Sequence, residues 1–200
     1  MNFVQGEFYH VYNRGNNRQV IFFSERNYLF FLQKAREQLL PFSEIVAYCL
    51  MPNHFHFLLR ANDDGLKSRG SFADKQMQEL AYRIGILLSS YSQAINKQNK
   101  TTGSLFQQKT KAKMLSETHN GSRLSYFEQC FHYIHQNPVV AGLVKGPMIW
   151  PYSSYPDYMG QRNGTLCAKE LFYSCTGLNS DEISTRTLEK LDEKILDKLF

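Results

Sequence analysis

The stretch Tyr48-Cys49-Leu50-Met51-Pro52-Asn53-His54-Phe55-His56-Phe57-Leu58-Leu59 decides how this chain folds. Residues 45–51 are β-branched, aromatic or aliphatic, Pro52 and Asn53 are turn formers, and Phe55, Phe57, Leu58 and Leu59 resume the apolar run. That pattern predicts a strand, a tight turn and a second strand. Side chains alternate faces along a strand, so His54 and His56 point the same way, about 6.6 Å apart along the backbone, while Phe55 and Phe57 point the other way. Two imidazoles on one face can share a metal ion. The bland alternative is a hydrogen-bonded surface histidine beside a second that composition happened to place there.

Upstream of this hairpin, residues 8–14 predict an aromatic-rich strand that ends at the turn signal Gly15-Asn16-Asn17. Arg14 and Arg18 bracket the turn, either as solvated charges or as two guanidiniums able to hold phosphate beside backbone amides. Ser24 is a plausible N-cap, and Tyr28, Leu32, Ala35 and Leu39 recur at helical spacing until Pro41 stops them. Downstream, residues 62–71 read as a polar, glycine-containing loop. Ser71 with Asp74 resembles a capping box opening a long helix whose core stripe is Met77, Leu80, Ile84, Leu87, Leu88, Tyr91 and Ile95.

Residues 104–115 alternate strictly, with Phe106, Gln108, Thr110, Ala112 and Met114 on one face and Gln107, Lys109, Lys111 and Lys113 on the other. Three lysines at period two spread charge over about 13 Å, comparable to successive phosphates of a nucleic-acid strand. An ordinary solvated sheet face reads the same way. Ser125 and Glu128 signal a second capping box, opening a helix through Phe127, Cys130, Phe131 and Ile134 that should end near Asn137, because Pro138 disfavours helical geometry in the residue before it. On that helix Tyr133 and Asn137 are four apart and share a face. His132 and His135 lie on a neighbouring face, without a carboxylate or cysteine in register. Trp150-Pro151-Tyr152-Ser153-Ser154-Tyr155 should pack against the body. Leu188, Leu191, Ile195 and Leu199 suggest one amphipathic C-terminal helix, with Asp181 and Glu182 nearer its start and Lys194 and Lys198 nearer its end.

Two hundred residues with 42% apolar and 14% aromatic side chains suit one globular domain with an appendage. No apolar run reaches the roughly 20 residues of a membrane span, and the N-terminus lacks the pattern of a signal peptide, so the expected location is cytoplasmic. Four scattered cysteines, Cys49, Cys130, Cys167 and Cys175, suggest buried free thiols, neither a disulfide framework nor a thiolate zinc site. Residues 1–159 carry 17 basic against 11 acidic side chains and residues 160–200 carry 6 against 7, so the basic character belongs to the main body and favours a polyanionic partner. The element order strand, helix, hairpin, long helix, strand, helix predicts an α+β sandwich, an antiparallel sheet with helices on one face and the other face free for a ligand.

Four separated stretches, in order, resemble a known family: Tyr12-Asn13-Arg14-Gly15-Asn16-Asn17-Arg18; Met51-Pro52-Asn53-His54-Phe55-His56; Tyr133-Ile134-His135-Gln136-Asn137-Pro138-Val139-Val140-Ala141-Gly142-Leu143-Val144; and Trp150-Pro151-Tyr152-Ser153-Ser154-Tyr155. They resemble the IS200-like single-tyrosine transposases, and best of all their REP-associated branch. The resemblance covers residues 8–156, leaving 1–159 as the catalytic-type domain and 160–200 as the appendage. It implies an HUH endonuclease on a ferredoxin-like sheet. Tyr133 would be the nucleophile, and His54, His56 and Asn137 the holders of Mg²⁺ or Mn²⁺. Mobile-element members more often carry Gln at the third ligand position, whereas Asn suits the REP-associated branch.

The implied activity is cleavage and strand transfer of single-stranded or hairpin DNA through a 5′-phosphotyrosine. A hairpin-binding protein that has lost catalysis is the alternative. Gly103-Ser104-Leu105-Phe106-Gln107 also matches the family's strand opening, but Gln108-Lys109-Thr110-Lys111 replaces the arginine and aromatic that often follow. Mobile-element relatives are dimers that exchange the tyrosine helix and the REP-associated branch acts as monomers, so both states stay open.

Overall fold

In the computed structural model, residues 1–72, 75–115 and 126–189 are described. Four strands form one antiparallel sheet: β1 (Phe8–Arg14), β2 (Ser43–Met51), β3 (His54–Ala61) and β6 (Lys111–Met114), in the order β2-β3-β1-β6. Helix α1 (Glu25–Leu39) connects β1 to β2, and α3 (Glu79–Asn99) precedes β6. This is the split βαβ arrangement of a ferredoxin-like sheet. The hairpin of β2 and β3 forms as the Pro-Asn turn predicts, with Met51 opposite His54.

Period-two alternation sorts the strand residues between two apolar clusters. Tyr9, Val11, Phe55, Phe57 and Leu59 pack with Phe31, Ala35 and Leu39 of α1 and with Leu80, Ile84, Leu87, Tyr91 and Ile95 of α3. Leu58, Ala47, Cys49 and Met51 pack on the opposite side with Phe127, Cys130, Phe131 and Ile134 of α4 (Tyr126–Val140). The second face is therefore not free along its length, because the apolar stripe of α4 also needs burial and the sheet is where it finds it.

Several local expectations change. Residues 62–71 are more ordered than a loop: Asn62 caps a single turn, α2 (Asp63–Leu66), its side chain accepting from the Gly65 amide at 2.9 Å. A small hairpin follows, β4 (Ser68–Phe72) and β5 (Lys75–Gln78). The long helix begins at Glu79, not at Ser71, and Met77 lies on β5, half exposed; Asp74 of the expected capping box lies outside the described residues. Ser125 of the second box also lies outside them. Helix α4 runs on to Val140, past Pro138, since a proline removes only its own amide from the ladder and the Ala141 amide still donates to the Asn137 carbonyl at 2.9 Å.

The strand expected over 104–115 shortens to β6. Ahead of it, Phe106 bridges Gly15, and the Asn13 side chain donates to the Gln107 carbonyl at 3.0 Å and to the Thr110 hydroxyl at 2.9 Å. Backbone pairing persists in part, with the Gln107 amide donating to the Arg14 carbonyl at 2.9 Å, and the Asn13 side chain supplements it on the way to β6. Beyond residue 160 the described chain holds two helices in place of one, α6 (Lys169–Thr176) and α7 (Ser180–Leu188), after the single turn α5 (Tyr155–Tyr158). Leu191, Ile195 and Leu199 lie outside the described residues. Cys49 and Cys130 are buried free thiols as expected, but Cys167 is half-buried and Cys175 exposed. Among the described residues no helix is long and apolar enough to cross a membrane.

Candidate active site

Strand register assembles the site. Arg14 stands opposite His54, Tyr12 opposite His56 and Lys111, and His10 opposite Lys113. Paired residues of antiparallel strands share a face, so both histidines and the lysine row lie on the side covered by α4. Helix α4 leaves a cavity of about 420 Å³ lined by Tyr12, Asn13, Arg14, His54, His56, Gln107, Lys109, Lys111, Tyr133 and Asn137. A groove of similar volume between α1 and α3, bordered by Arg26 and Lys97, gathers no comparable chemistry.

The turn carrying His54 is clamped from outside the hairpin. The Gly15 amide donates to the Asn53 carbonyl at 2.8 Å, and the amides of Ile21 and Phe22 donate to the Pro52 carbonyl at 2.8 and 3.1 Å. Gly15 is required here: a Cβ on it would sit 2.2 Å from the Gln19 carbonyl oxygen. The Asn53 side chain accepts from His54 Nδ1 at 2.6 Å. The rings of His54 and His56 stand 4.9 Å apart, edge to face. Tyr133 donates its hydroxyl to Asn137 Oδ1 at 3.1 Å, and Asn137 donates its amide to the Tyr133 carbonyl at 2.9 Å, the contact that four-residue helical spacing allows.

Burial dominates the electrostatics. It lowers His54 to about 4, with the Arg14 charge adding to the effect and a hydrogen bond to Asn137 opposing it. It lowers His56 further, helped by the fields of His10, His54 and Arg14. Both imidazoles are neutral at physiological pH, the form that ligates metal. Burial also pushes the Tyr133 phenol above its usual range, against the hydrogen bond to Asn137. Among the described residues no cluster of three or more His, Cys, Asp or Glu stands ready to hold a metal. The set on offer is two imidazoles and an amide oxygen, whose two nitrogen donors suit a transition-metal ion better than oxygen-seeking Mg²⁺.

Of the predicted site residues, Tyr133, His54, His56, Asn137, Arg14, Lys109 and Lys111 converge on the cavity. Arg18 does not; it is exposed on the outer turn, its carbonyl accepting from the Asn53 side chain at 3.3 Å. Lys113 is half-buried beside α4 and does not line the cavity. His132 and His135 do not form a metal pair: His132 Nδ1 bonds the Thr187 hydroxyl and His135 Nε2 bonds the Ser154 hydroxyl, each at 2.8 Å. Trp150 to Tyr155 run beside β2, with Trp150 Nε1 donating to the Leu50 carbonyl at 3.0 Å, as their aromatic composition suggested. His10 escaped sequence reasoning, although the alternation that groups His54 with His56 also groups His10, Tyr12 and Arg14 on β1. Its Nε2 lies 2.8 Å from His56 Nδ1.

A solved structure described as a REP-associated tyrosine transposase bound to a REP hairpin superposes on this chain with a TM-score of 0.55. The match covers 80% of this chain and 84% of that one, at 15% sequence identity. This chain has the REP-associated tyrosine transposase fold. No family model matches the sequence, and no curated protein does. At this identity the likeness concerns the path of the backbone, and the chemistry rests on the residues that the REP-associated fold brings together here.

Proposed function

We propose that this chain is a divalent-metal-dependent endonuclease and strand transferase for single-stranded and hairpin DNA, working through a 5′-phosphotyrosine on Tyr133. The observation that carries the proposal is the Tyr133 hydroxyl donating to Asn137 Oδ1 at 3.1 Å inside a cavity that also holds His54, His56 and three cations, Arg14, Lys109 and Lys111. The hairpin bound by the transposase of the same fold supports the choice of substrate.

In this reading Arg14, Lys109 and Lys111 bind the phosphate backbone, and the covering helix keeps bulk water from the scissile bond. Mg²⁺ or Mn²⁺ on His54, His56 and Asn137 would supply positive charge that screens the phosphodiester and favours the phenolate. Tyr133 attacks phosphorus and loses its phenolic proton, while the 3′-oxygen of the preceding nucleotide leaves and is protonated. The products are a 5′-phosphotyrosine and a free 3′-hydroxyl. A 3′-hydroxyl from the same or another strand reverses the step, so the bond energy is conserved in strand transfer. The second reading is a catalytically silent hairpin-binding protein: burial pushes the Tyr133 phenol above its usual range, so its deprotonation for attack would depend on the charge of a bound ion.

The two separate on one experiment. The protein is incubated with Mn²⁺ and a single-stranded hairpin oligonucleotide drawn from inverted repeats flanking its gene, denatured, and mapped by mass spectrometry. The adduct should fall on Tyr133, disappear in Tyr133→Phe and survive in Tyr126→Phe, whose ring packs in the core. An adduct on another tyrosine overturns the assignment, and tight hairpin binding without any adduct establishes the silent reading.

A further inference from the structure

We propose that His10 is the positioning residue that sets the tautomer of His56, accepting a hydrogen bond from its Nδ1–H and leaving the lone pair on Nε2. The inference rests on His56 being a metal holder in the proposed function.

A neutral imidazole has one N–H and one lone pair, so the partner of one ring nitrogen decides what the other can do. His54 is settled by chemistry: its Nδ1 faces the Asn53 amide oxygen, which only accepts, so Nδ1 carries the proton and Nε2 the lone pair. His56 has another imidazole in the corresponding place. His10 Nε2 and His56 Nδ1 are 2.8 Å apart, and one of them must donate. If His10 donated, the His56 proton would sit on Nε2 and exclude a metal there. With His10 accepting, both histidines of the hairpin present Nε2 in the same form.

The contact is built into the core of the sheet. His10 and His56 are 0% and 1% exposed, and their ring centroids lie 5.0 Å apart with 24° between planes. Tyr12 stacks on His10 at 4.6 Å and limits its rotation. Partners of this kind on ligand histidines orient the ring and raise its basicity, and their loss costs about 10- to 100-fold in metal affinity.

The test begins without metal. In the full-length protein labelled with ¹⁵N-histidine, long-range proton–nitrogen correlations should show His56 protonated on Nδ1 and bare on Nε2. The opposite pattern overturns the inference whatever the protein binds. His10→Phe keeps an aromatic ring beside Tyr12 but removes the acceptor. It should weaken Mn²⁺ binding, read by calorimetry, about 10- to 100-fold, while hairpin binding in EDTA is unchanged. His10→Gln, whose amide oxygen accepts, should restore the affinity. Wild-type Mn²⁺ affinity in His10→Phe overturns the role of His10 alone. Undiminished Mn²⁺ binding in His56→Ala overturns the metal reading instead, and the tautomer pattern tells the two failures apart. Should His10→Phe fail to fold, the wild-type spectrum and His10→Gln still decide.

Discussion

Tyr133 and Asn137 are useful to each other only because one turn of helix separates them. The amide oxygen that accepts from the phenol is also the oxygen that the proposed site offers to a cation. Asn137→Asp adds a charge and a second oxygen at this point, so it should shift ion preference toward Mg²⁺, which favours carboxylate oxygen. Cleavage rates in Mg²⁺ against Mn²⁺ measure this, and an unchanged ratio would remove Asn137 from the ligand set. His54→Ala should abolish Mn²⁺-dependent nicking and leave gel-shift affinity for the hairpin intact, because the proposed phosphate contacts are those of Arg14, Lys109 and Lys111.

Among the elements, the segment leading into β6 is where local pattern and tertiary structure diverge most. Alternation in residues 104–115 correctly grouped Gln107, Lys109 and Lys111 on the cavity side, yet the regular ladder begins only at Lys111. Replacing Lys109 and Lys111 together by Ala should reduce the slope of log K against log salt for hairpin binding by about 1.5, since each phosphate contact on single-stranded DNA accounts for about 0.7. Lys113→Ala should leave the slope nearly unchanged. The outer turn makes a different prediction. Gly15→Ala forces a Cβ against the Gln19 carbonyl and should cost about 1–3 kcal/mol in urea unfolding. Because that turn clamps Pro52 and Asn53, a Gly15→Ala protein with wild-type stability would mean the clamp does not hold the histidine hairpin.

Taken whole, the molecule buries titratable histidines on both sides of α4, and acid should loosen it. Burial lowers His132 to about 4 from an ordinary 6.5, aided by the Arg186 charge, which is itself paired with Glu128. His135, the other histidine on the helix, is lowered well below its usual value by burial and by His132. Between pH 6.5 and 4 the unfolded chain takes up a proton at His132 that the folded chain refuses, so stability is fully present above 6.5 and falls as pH drops toward 4. The loss from His132 alone amounts to at most about 3 kcal/mol. His132→Gln keeps a partner for Thr187 without titrating, so its stability should change less over this window in urea melts at pH 7, 5.5 and 4.5. Equal slopes in both proteins would show that His132 does not contribute.

How the chain divides between what its sequence determined and what folding decided follows from the reach of each interaction. Local periodicity was enough for the strand–turn–strand of the histidine hairpin, for α1, for the stripe of α3 from Leu80 to Ile95, and for the pairing of Tyr133 with Asn137, since each depends on neighbours within a few residues. Strand alternation alone also puts His54 and His56 on a common face, because a period of two needs no partner strand. It could not say which face, or what would cover it. That depended on the register that sets Arg14 beside His54 and Lys111 beside Tyr12, and on α4 taking the second face to bury Phe127, Cys130, Phe131 and Ile134. The hydrogen bond between His10 and His56, 46 residues apart in sequence, belongs to the same class. No local pattern encodes it, because two strands must first pair in register before those rings can meet.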